Sequence, residues 1–338
     1  MTPAPSSLFL HGGNRDEAAR HYGYQPDEMI DLSTGISPIC YPLPASQFDV
    51  ADWQALPRSS DEDRLMSVAR RAYCVSGAAG LCLGPGSQSL LRAVPRLMEK
   101  PCRVWIPELT YSEHALAWQQ AGHQVIPCGQ MPQDAVCAVL VNPNNPDGRL
   151  YNTKILQELC TSLAEKGGFL LLDEAFIDCD PELSLMPLSG QKGLIILRSL
   201  GKFFGLAGLR VGFAAGHHAD IEKLRCDIGP WPVATPSLLA ATCALDDHKW
   251  IASHRQALAI LSQQMRDLLE AYRLDIVGQT GLFVTVNDDD APALHERLAS
   301  EAMWVRAFSY SPNWIRFGLT ADKAVLQKLE ACLTKWRA

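Results

Sequence analysis

From about residue 80 to about 216, short apolar runs alternate with amphipathic segments, and this alternation constrains the fold more than any other feature. Short apolar runs are typical of buried strands, and the amphipathic segments between them are typical of crossover helices. Strands are predicted at residues 81–84, 103–107, 137–142, 168–174, 193–199 and 211–216. The pattern therefore predicts an α/β fold built on a mostly parallel sheet.

Two of the intervening helices can be delimited by residues that start or stop a helix. The helix predicted at 87–100 follows a glycine turn, and Pro95 is expected to interrupt it because proline lacks the backbone N–H. The helix predicted at 153–168 has Asn152 or Thr153 available as its N-terminal cap.

After about residue 235 the pattern changes to that of an α+β domain. Its predicted elements are a long amphipathic stretch (236–273), a strand (282–287), a helix (290–302), a strand (314–319) and a terminal helix from about 321. We therefore expect a large domain over residues 45–235. A smaller α+β domain is expected from residues 236–338, together with an N-terminal arm (1–44) that is rich in Pro, Gly and Ser and expected to be extended.

Composition excludes several classes of function. The 338 residues carry a formal charge of −7 without a long basic run, which argues against nucleic-acid binding. No apolar run approaches the roughly 18 residues of a membrane span, and no secretory signal is recognisable. The eleven cysteines are scattered without a CxxC pair, so neither a metal site nor a disulfide framework is expected. We expect a cytoplasmic, soluble enzyme that holds anionic ligands with local arginines and backbone N–H groups.

The segment SLGKFFGLAGLRVG (199–212) is the most informative in the chain. It places Ser199, Lys202 and Arg210 in a glycine-rich connection directly after a predicted buried strand. A lysine among apolar neighbours has a lowered pKa and becomes an amine nucleophile suited to forming imines. Taken alone, the segment favours a solvated lysine in a loop.

A carboxylate and an asparagine-rich turn follow two other predicted strands. Asp173, in LLLDEAF, stands at the carboxyl end of a strongly apolar strand, the edge where parallel sheets bind ligands. A carboxylate there needs a partner, and a protonated pyridine nitrogen would be one. The segment VNPNNPDG (141–148) offers Asn145, although such a composition usually forms only a turn.

The segment LGPGSQSLL (83–91) combines a strand end, a Gly-x-Gly turn and a helix start. It lacks the third glycine of GxGxxG and a Walker lysine, so nucleotide binding is weakly supported. Its free N–H groups suit a single phosphate held by Gly86, Ser87 and Gln88.

Along the chain these segments occur as a phosphate-binding turn, then NPNNPDG, then DEAF, then SLGKFFGLAGLRVG, and this order resembles the fold-type I pyridoxal 5′-phosphate (PLP) enzymes. The resemblance implies an aminotransferase-like fold, PLP as cofactor and a homodimer. By position, Lys202 would carry PLP as a Schiff base and shuttle the proton, and Asp173 would pair with the pyridine nitrogen. Asn145 would bind the ring hydroxyl, Tyr111 of PELTYSE would stack on the ring, and the phosphate would be held by Ser199, Arg210 and the turn of Gly86, Ser87 and Gln88.

Both ends of the chain resemble one small branch of this class, which holds histidinol-phosphate aminotransferases and threonine-phosphate decarboxylases. The motifs LHGGN (10–14) and IDLSTGISP (30–38) resemble the decarboxylases more than the aminotransferases. In WVRAFSYSPNWIRFGL (304–319), Arg316 matches an arginine that binds the substrate carboxylate in this branch, and Arg306 matches one that helps to bind the substrate phosphate. The resemblance implies that the substrate-binding residues are His11, Gly12, Gly35, Ile36, Asn145, Arg306 (phosphate) and Arg316 (carboxylate).

The implied activity is decarboxylation of L-threonine O-3-phosphate to (R)-1-amino-2-propanol phosphate, for cobalamin biosynthesis. An aminotransferase of the histidinol-phosphate type with the same PLP site is the alternative, and the motifs do not separate the two. A catalytically silent regulator is disfavoured because Lys202 is present and a DNA-binding extension is absent. Two departures stand out: Phe176 replaces a tyrosine common in this fold, and RSSDEDRL (58–65) lacks a tyrosine that many relatives extend to the neighbouring subunit.

Overall fold

The computed structural model describes residues 12–44 and 49–337, and these residues form two compact units. The larger unit runs from Cys40 to Asn145 and from Arg149 to Ser253, and the smaller unit holds the remainder. Residues 236–253 belong to the larger unit, because the helix that begins there packs against a helix at 59–72. The domain bounds expected from the sequence, at 45 and 235, stay a prediction.

The strands, in chain order, are β1 (Ile30–Leu32), β2 (Ala79–Pro85), β3 (Arg103–Ile106), β4 (Gln124–Pro127), β5 (Cys137–Val141), β6 (Leu170–Asp173), β7 (Leu194–Ser199), β8 (Val211–His217), β9 (Asp275–Thr280), β10 (Phe283–Asn287), β11 (Met303–Phe308) and β12 (Ser311–Gly318). The helices are α1 (Arg15–Tyr22), α2 (Ala51–Gln54), α3 (Ser59–Ala72), α4 (Ser87–Ala93), α5 (Ser112–Gln120), α6 (Thr153–Glu165), α7 (Leu200–Phe203), α8 (His218–Ile228), α9 (Thr235–Asp246), α10 (His248–Ala271), α11 (Ala291–Ser300) and α12 (Lys323–Arg337).

The sheet of the larger unit has the order β2-β8-β7-β6-β5-β3-β4 over the described residues. Strand β8 alone runs opposite to the other six strands of this sheet, so the predicted mostly parallel sheet is confirmed. Every predicted strand of this sheet is present. Strand β4 was not predicted, because it lies at the edge of the sheet and its residues are exposed or half-buried, so it lacks the apolar run of an inner strand.

The helix boundaries follow local signals in the sequence. Helix α4 ends at Ala93, and a 3₁₀ turn that contains Pro95 follows it, as predicted. The side-chain oxygen of Asn152 accepts a hydrogen bond from the backbone N–H of Lys154 at 2.9 Å and caps α6. The amphipathic stretch predicted at 236–273 is two helices rather than one, because Asp247 leaves the helical conformation and its carboxylate caps the start of α10. Among the described residues, no helix is both long and apolar enough to cross a membrane.

The sheet of the smaller unit has the order β1-β11-β12-β10-β9 in the described part of the chain. Strand β1 pairs in parallel with β11, and the other pairs are antiparallel. The arm expected to be extended instead contains α1 and β1 in its described residues. Helix α1 forms because Ala18 and Ala19 bury their side chains against Trp304, a contact that a local pattern does not reveal.

Candidate active site

Asp173 lies at the carboxyl end of β6 and is 5% exposed. Its Oδ1 accepts a hydrogen bond from the backbone N–H of Ala175 at 3.0 Å, and its Oδ2 lies 2.9 Å from Nε2 of His114. His114, on α5, is completely buried, and its Nδ1 has no hydrogen-bond partner among the described residues. The backbone N–H of Ala175 and the imidazole of His114 together hold the carboxylate in one orientation.

Lys202 and Asp173 are placed at the same edge of the sheet by two neighbouring strands. Strands β6 and β7 are parallel, and Asp173 pairs with Leu197 in their register. Helix α7, which bears Lys202, begins directly after β7, whose last residue is the buried Ser199. The Lys202 Nζ lies 5.7 Å from the centroid of the Phe176 ring. The expectation that these carboxyl ends meet follows from parallel topology.

The turn after β2 lies against Arg210. Gly86 has a φ of +79°, and a Cβ at this position would lie 2.6 Å from the Arg210 guanidinium nitrogen. A Cβ on Gly212 would lie 2.2 Å from the backbone N of Ser87, so β8 also approaches the turn closely. Arg210 itself is in the left-handed region, with a φ of 53°. The Arg210 guanidinium therefore lies against the turn that begins α4, which is an arrangement that suits an anion.

A chain of hydrogen bonds fixes Tyr111. Its hydroxyl donates to Oε1 of Gln88 at 3.3 Å, and the Gln88 amide donates to Glu113 at 2.6 Å. Arg92 donates to the same Glu113 oxygen at 2.9 Å. The Tyr111 ring meets the imidazole of His114 edge-on, with the centroids 5.9 Å apart. The side chain of Gln88, predicted as part of the phosphate turn, is therefore engaged in orienting Tyr111.

The asparagine-rich segment is anchored by its own side chains. The Asn144 amide accepts from the Thr110 hydroxyl at 2.7 Å and donates to the carbonyl of Leu109 at 2.8 Å. Asn142 accepts from the backbone N–H of Tyr151 at 2.9 Å. Asn145, the predicted ligand, is half-buried next to this anchored stretch.

In the smaller unit, Arg306 and Arg316 lie directly opposite each other on the antiparallel strands β11 and β12. Like charges in this position destabilise a sheet unless an anion lies between or beside them. Arg316 donates to the carbonyl of Ser33 at 2.8 Å, and its Cζ lies 5.0 Å from the Phe283 ring centroid. The Arg306 Cζ lies 5.1 Å from the ring centroid of Phe308. The pair is thus a candidate anion site with one arginine firmly anchored.

Two predicted substrate-binding residues of the smaller unit, Gly12 and Arg316, lie next to the carbonyl group of Ser33. A Cβ on Gly12 would lie 2.5 Å from the Ser33 carbonyl oxygen, the same oxygen that accepts from Arg316. Gly35 is buried and Ile36 is half-buried just beyond it in the chain. The structure therefore brings Gly12 and Arg316 to one carbonyl group.

Three residues of these sites were not predicted from the sequence. His114 stands three residues after Tyr111 on α5, and this helical spacing could have identified it. Ser33 had no such signal, because the pairing of β1 with β11 joins distant parts of the chain. The third residue is Tyr310, whose phenol lies close enough to Arg306 and Arg316 to interact with their charges. His11 lies outside the described residues.

A mostly parallel sheet with a buried aspartate and a lysine at neighbouring strand ends is the arrangement expected of fold-type I PLP enzymes. Residues 64–331 match the family described as aminotransferase class I and II, and the chain belongs to this family.

Similar proteins narrow the class further. The chain is 39% identical over 331 residues to a threonine-phosphate decarboxylase of Pseudomonas aeruginosa, which covers 96% of this chain and 97% of that protein. It is 36% identical over 337 residues to a threonine-phosphate decarboxylase of Sinorhizobium sp, which covers 98% and 99% of the two chains. Histidinol-phosphate aminotransferase of Sinorhizobium meliloti, solved in complex with PLP, has the same fold, with a TM-score of 0.84, 21% identity, and coverage of 100% of this chain and 97% of that chain.

The residues of the larger unit fit PLP, which presents an aldehyde, a ring nitrogen and a phosphate. Lys202 provides an amine, and Asp173 provides a buried carboxylate with one firmly oriented oxygen. The contact of Gly86 with Arg210 leaves no room for a Cβ, as expected where backbone and guanidinium bind one anion together. The aldehyde, the ring nitrogen and the phosphate therefore each have a matching group in the larger unit.

Proposed function

We propose that this protein is a PLP-dependent decarboxylase that converts L-threonine O-3-phosphate to (R)-1-amino-2-propanol phosphate and CO₂, as a step toward cobalamin. The observation that carries the assignment to PLP chemistry is the buried Asp173, paired with His114 of α5, at the end of the strand next to the one that leads to Lys202. Two threonine-phosphate decarboxylases at 39% and 36% identity over nearly the whole chain support the substrate.

Bound PLP supplies an electron-withdrawing ring that accepts the electron pair left when a bond to the substrate Cα breaks. Asp173 keeps the ring nitrogen protonated, because a carboxylate in a buried setting strongly favours a positive partner. Lys202 holds the cofactor covalently and, once released, delivers the proton that replaces the lost carboxyl group. Tyr111 stacks on the ring, and Asn145 donates to the ring oxygen.

The cofactor phosphate is held by Ser199, Arg210 and the turn formed by Gly86, Ser87 and Gln88. The turn contributes backbone N–H groups, and Arg210 contributes a charge-assisted donor from the other side. The engagement of the Gln88 side chain by Glu113 supports a backbone role for this residue.

The substrate carries a carboxylate and a phosphate, and the facing arginines of the smaller unit match these two anions. Arg316, anchored by Ser33, binds the carboxylate, and Arg306 binds the phosphate. Gly12, Gly35 and Ile36 contribute backbone contacts, and His11 contributes a side chain. Two guanidinium groups on the same face of a sheet suit a doubly anionic ligand.

The proposal is tested by incubating the protein with PLP and O-phospho-L-threonine in the absence of any keto acid. Release of CO₂ that disappears in Lys202→Ala supports the decarboxylase. Turnover that requires 2-oxoglutarate supports an aminotransferase of the histidinol-phosphate type, and absence of lysine-bound PLP after borohydride reduction contradicts both activities. We further expect a homodimer in the cytoplasm, an expectation that follows from the resemblance to PLP enzymes.

A further inference from the structure

A buried ionic cluster lies next to the proposed PLP residues in the larger unit. Glu174, Asp178 and Arg198 are 0%, 5% and 2% exposed. The Arg198 guanidinium donates to Glu174 at 3.3 Å through Nη1 and to Asp178 through Nη2. The ring of Tyr73 packs on the guanidinium, with Cζ 4.2 Å from the ring centroid. We name Tyr73, Glu174, Asp178 and Arg198 the Arg198 cluster.

Glu174 is fixed at both of its carboxylate oxygens. The Ser184 hydroxyl donates to Oε2 at 2.5 Å, and the backbone N–H of Leu185 donates to Oε1 at 2.8 Å. Burial raises the pKa of Glu174, and the charge of Arg198 acts against this rise. The cluster thus ties together chain segments that are distant in sequence, through hydrogen bonds with defined directions.

The Arg198 cluster lies at the ends of β6 and β7, the two strands that lead to the proposed cofactor residues. Glu174 directly follows Asp173, and Arg198 directly precedes Ser199. The backbone N–H of Glu174 donates to the carbonyl of Leu197 at 3.0 Å, which continues the β6–β7 ladder to its end. Because successive side chains of a strand point to opposite faces, Glu174 and Arg198 lie on the face opposite Asp173 and Ser199.

Stability alone does not explain a cluster of this kind. Burying a guanidinium and two carboxylates costs desolvation energy, and well-packed apolar residues of similar size are often at least as stabilising. What apolar packing lacks is direction, since it does not fix a strand end to within a fraction of an ångström. A ligand site at that strand end needs such fixation, because small displacements of reacting groups reduce rates strongly.

We infer that Glu174 and Arg198 are positioning residues for the cofactor, which hold Asp173 and the Lys202 loop in register from the opposite face of the sheet. This inference rests on the proposed function. It assigns to the Arg198 cluster a part in PLP binding and in the protonation behaviour of bound PLP, without contact to either cofactor or substrate.

The test compares variants of the cluster with a control on the same strand. Arg198→Lys keeps the charge but cannot reach two carboxylates with a planar fork, and Glu174→Gln keeps the size but removes an acceptor. Ile196→Ala is the control, because Ile196 is 0% exposed and lies on the same face of β7, two residues before Arg198. Each purified apoprotein is titrated with PLP, and the melting temperature is recorded alongside.

We expect Arg198→Lys to raise the PLP dissociation constant about tenfold, the scale on which residues supporting a binding group act. It should also shift the pH at which the visible band of lysine-bound PLP changes. Glu174→Gln should shift both in the same direction and serves in place of Arg198→Lys if the latter fails to fold. Ile196→Ala should lower the melting temperature with less than about a twofold change in the dissociation constant.

The inference is overturned if either folded cluster variant binds PLP as the wild type does, with an unchanged pH profile. It is also overturned if Ile196→Ala weakens PLP binding as much as the cluster variants do at an equal loss of melting temperature. A wild-type protein that binds no PLP through Lys202 overturns the proposed function itself, so the two failures are distinguishable.

Discussion

The two hydrogen bonds of Asp173 determine how its carboxylate is oriented in the proposed cofactor site. Asp173 is buried, yet it makes only two hydrogen bonds within the described structure, one to a backbone N–H and one to His114. A hydrogen bond to a charged group contributes about 1.5–3 kcal/mol, so the imidazole has a large share in keeping the carboxylate oriented.

Replacing His114 with phenylalanine removes this hydrogen bond while preserving an aromatic ring of similar size. We expect kcat for CO₂ release to fall roughly tenfold to a hundredfold, which corresponds to the loss of one charge-assisted hydrogen bond. Steady-state kinetics at saturating PLP measure the effect. His114→Gln, which can still donate to Asp173, should recover part of the rate, and a wild-type kcat in His114→Phe would contradict the proposed role.

A second buried histidine makes the smaller unit sensitive to acid. Burial lowers the pKa of His295 below its usual value of 6.5, and its Nε2 lies 3.2 Å from the carbonyl oxygen of Val305. Because the folded pKa is depressed, the stability that neutral His295 contributes is present above the unfolded pKa and is lost as the pH falls through the folded pKa.

We therefore expect the free energy of unfolding of the wild type to decrease between about pH 7.5 and about pH 5.5, and to decrease less in His295→Gln. Urea unfolding at both pH values measures the difference. Equal pH dependence of the two proteins would show that His295 titrates normally in the folded state.

At the scale of single elements, the turn after β2 joins backbone conformation to the proposed phosphate site. Gly86→Ala forces a Cβ into a left-handed conformation and against Arg210. We expect this variant to fold with a loss of about 1 kcal/mol and to bind PLP about tenfold more weakly. Gly208→Ala is the matched control, because nothing lies within 4 Å of a Cβ there. Equilibrium titration of both apoproteins with PLP provides the comparison.

The helices and strands also show how much of the fold could be predicted from the sequence. The inner strands of the larger sheet were predictable, because β5, β6 and β7 are buried on both faces and read as continuous apolar runs. The shared edge of Asp173 and Lys202 followed from parallel topology. Strands β9 and β11 were not predicted, since their residues are only partly apolar and their pairing depends on distant segments. The partner Ser33 was missed because it acts through a contact that the local pattern does not encode, whereas the spacing of His114 from Tyr111 was a signal that went unused.

At the scale of the whole molecule, the expected homodimer needs an apolar surface. Large apolar side chains are exposed along one short stretch of the larger unit, at Val50 (69%), Trp53 (70%) and Leu56 (64%). Exposed apolar groups close together are typical of interaction surfaces. We expect sedimentation equilibrium to give the mass of two 37.1 kDa chains, and Trp53→Glu to shift the mass toward one chain. Ile260→Glu, at a position 58% exposed on α10, is the control and should leave the mass unchanged.

Ligand binding at the opposed arginines of β11 and β12 connects the concentration of the ligand to the stability of the folded chain. An anion that binds the folded chain at these arginines stabilises it by mass action, so ligand occupancy and resistance to unfolding rise together. Cells degrade proteins in proportion to the fraction that opens. We therefore expect the abundance of this protein to rise with the supply of its phosphorylated ligand.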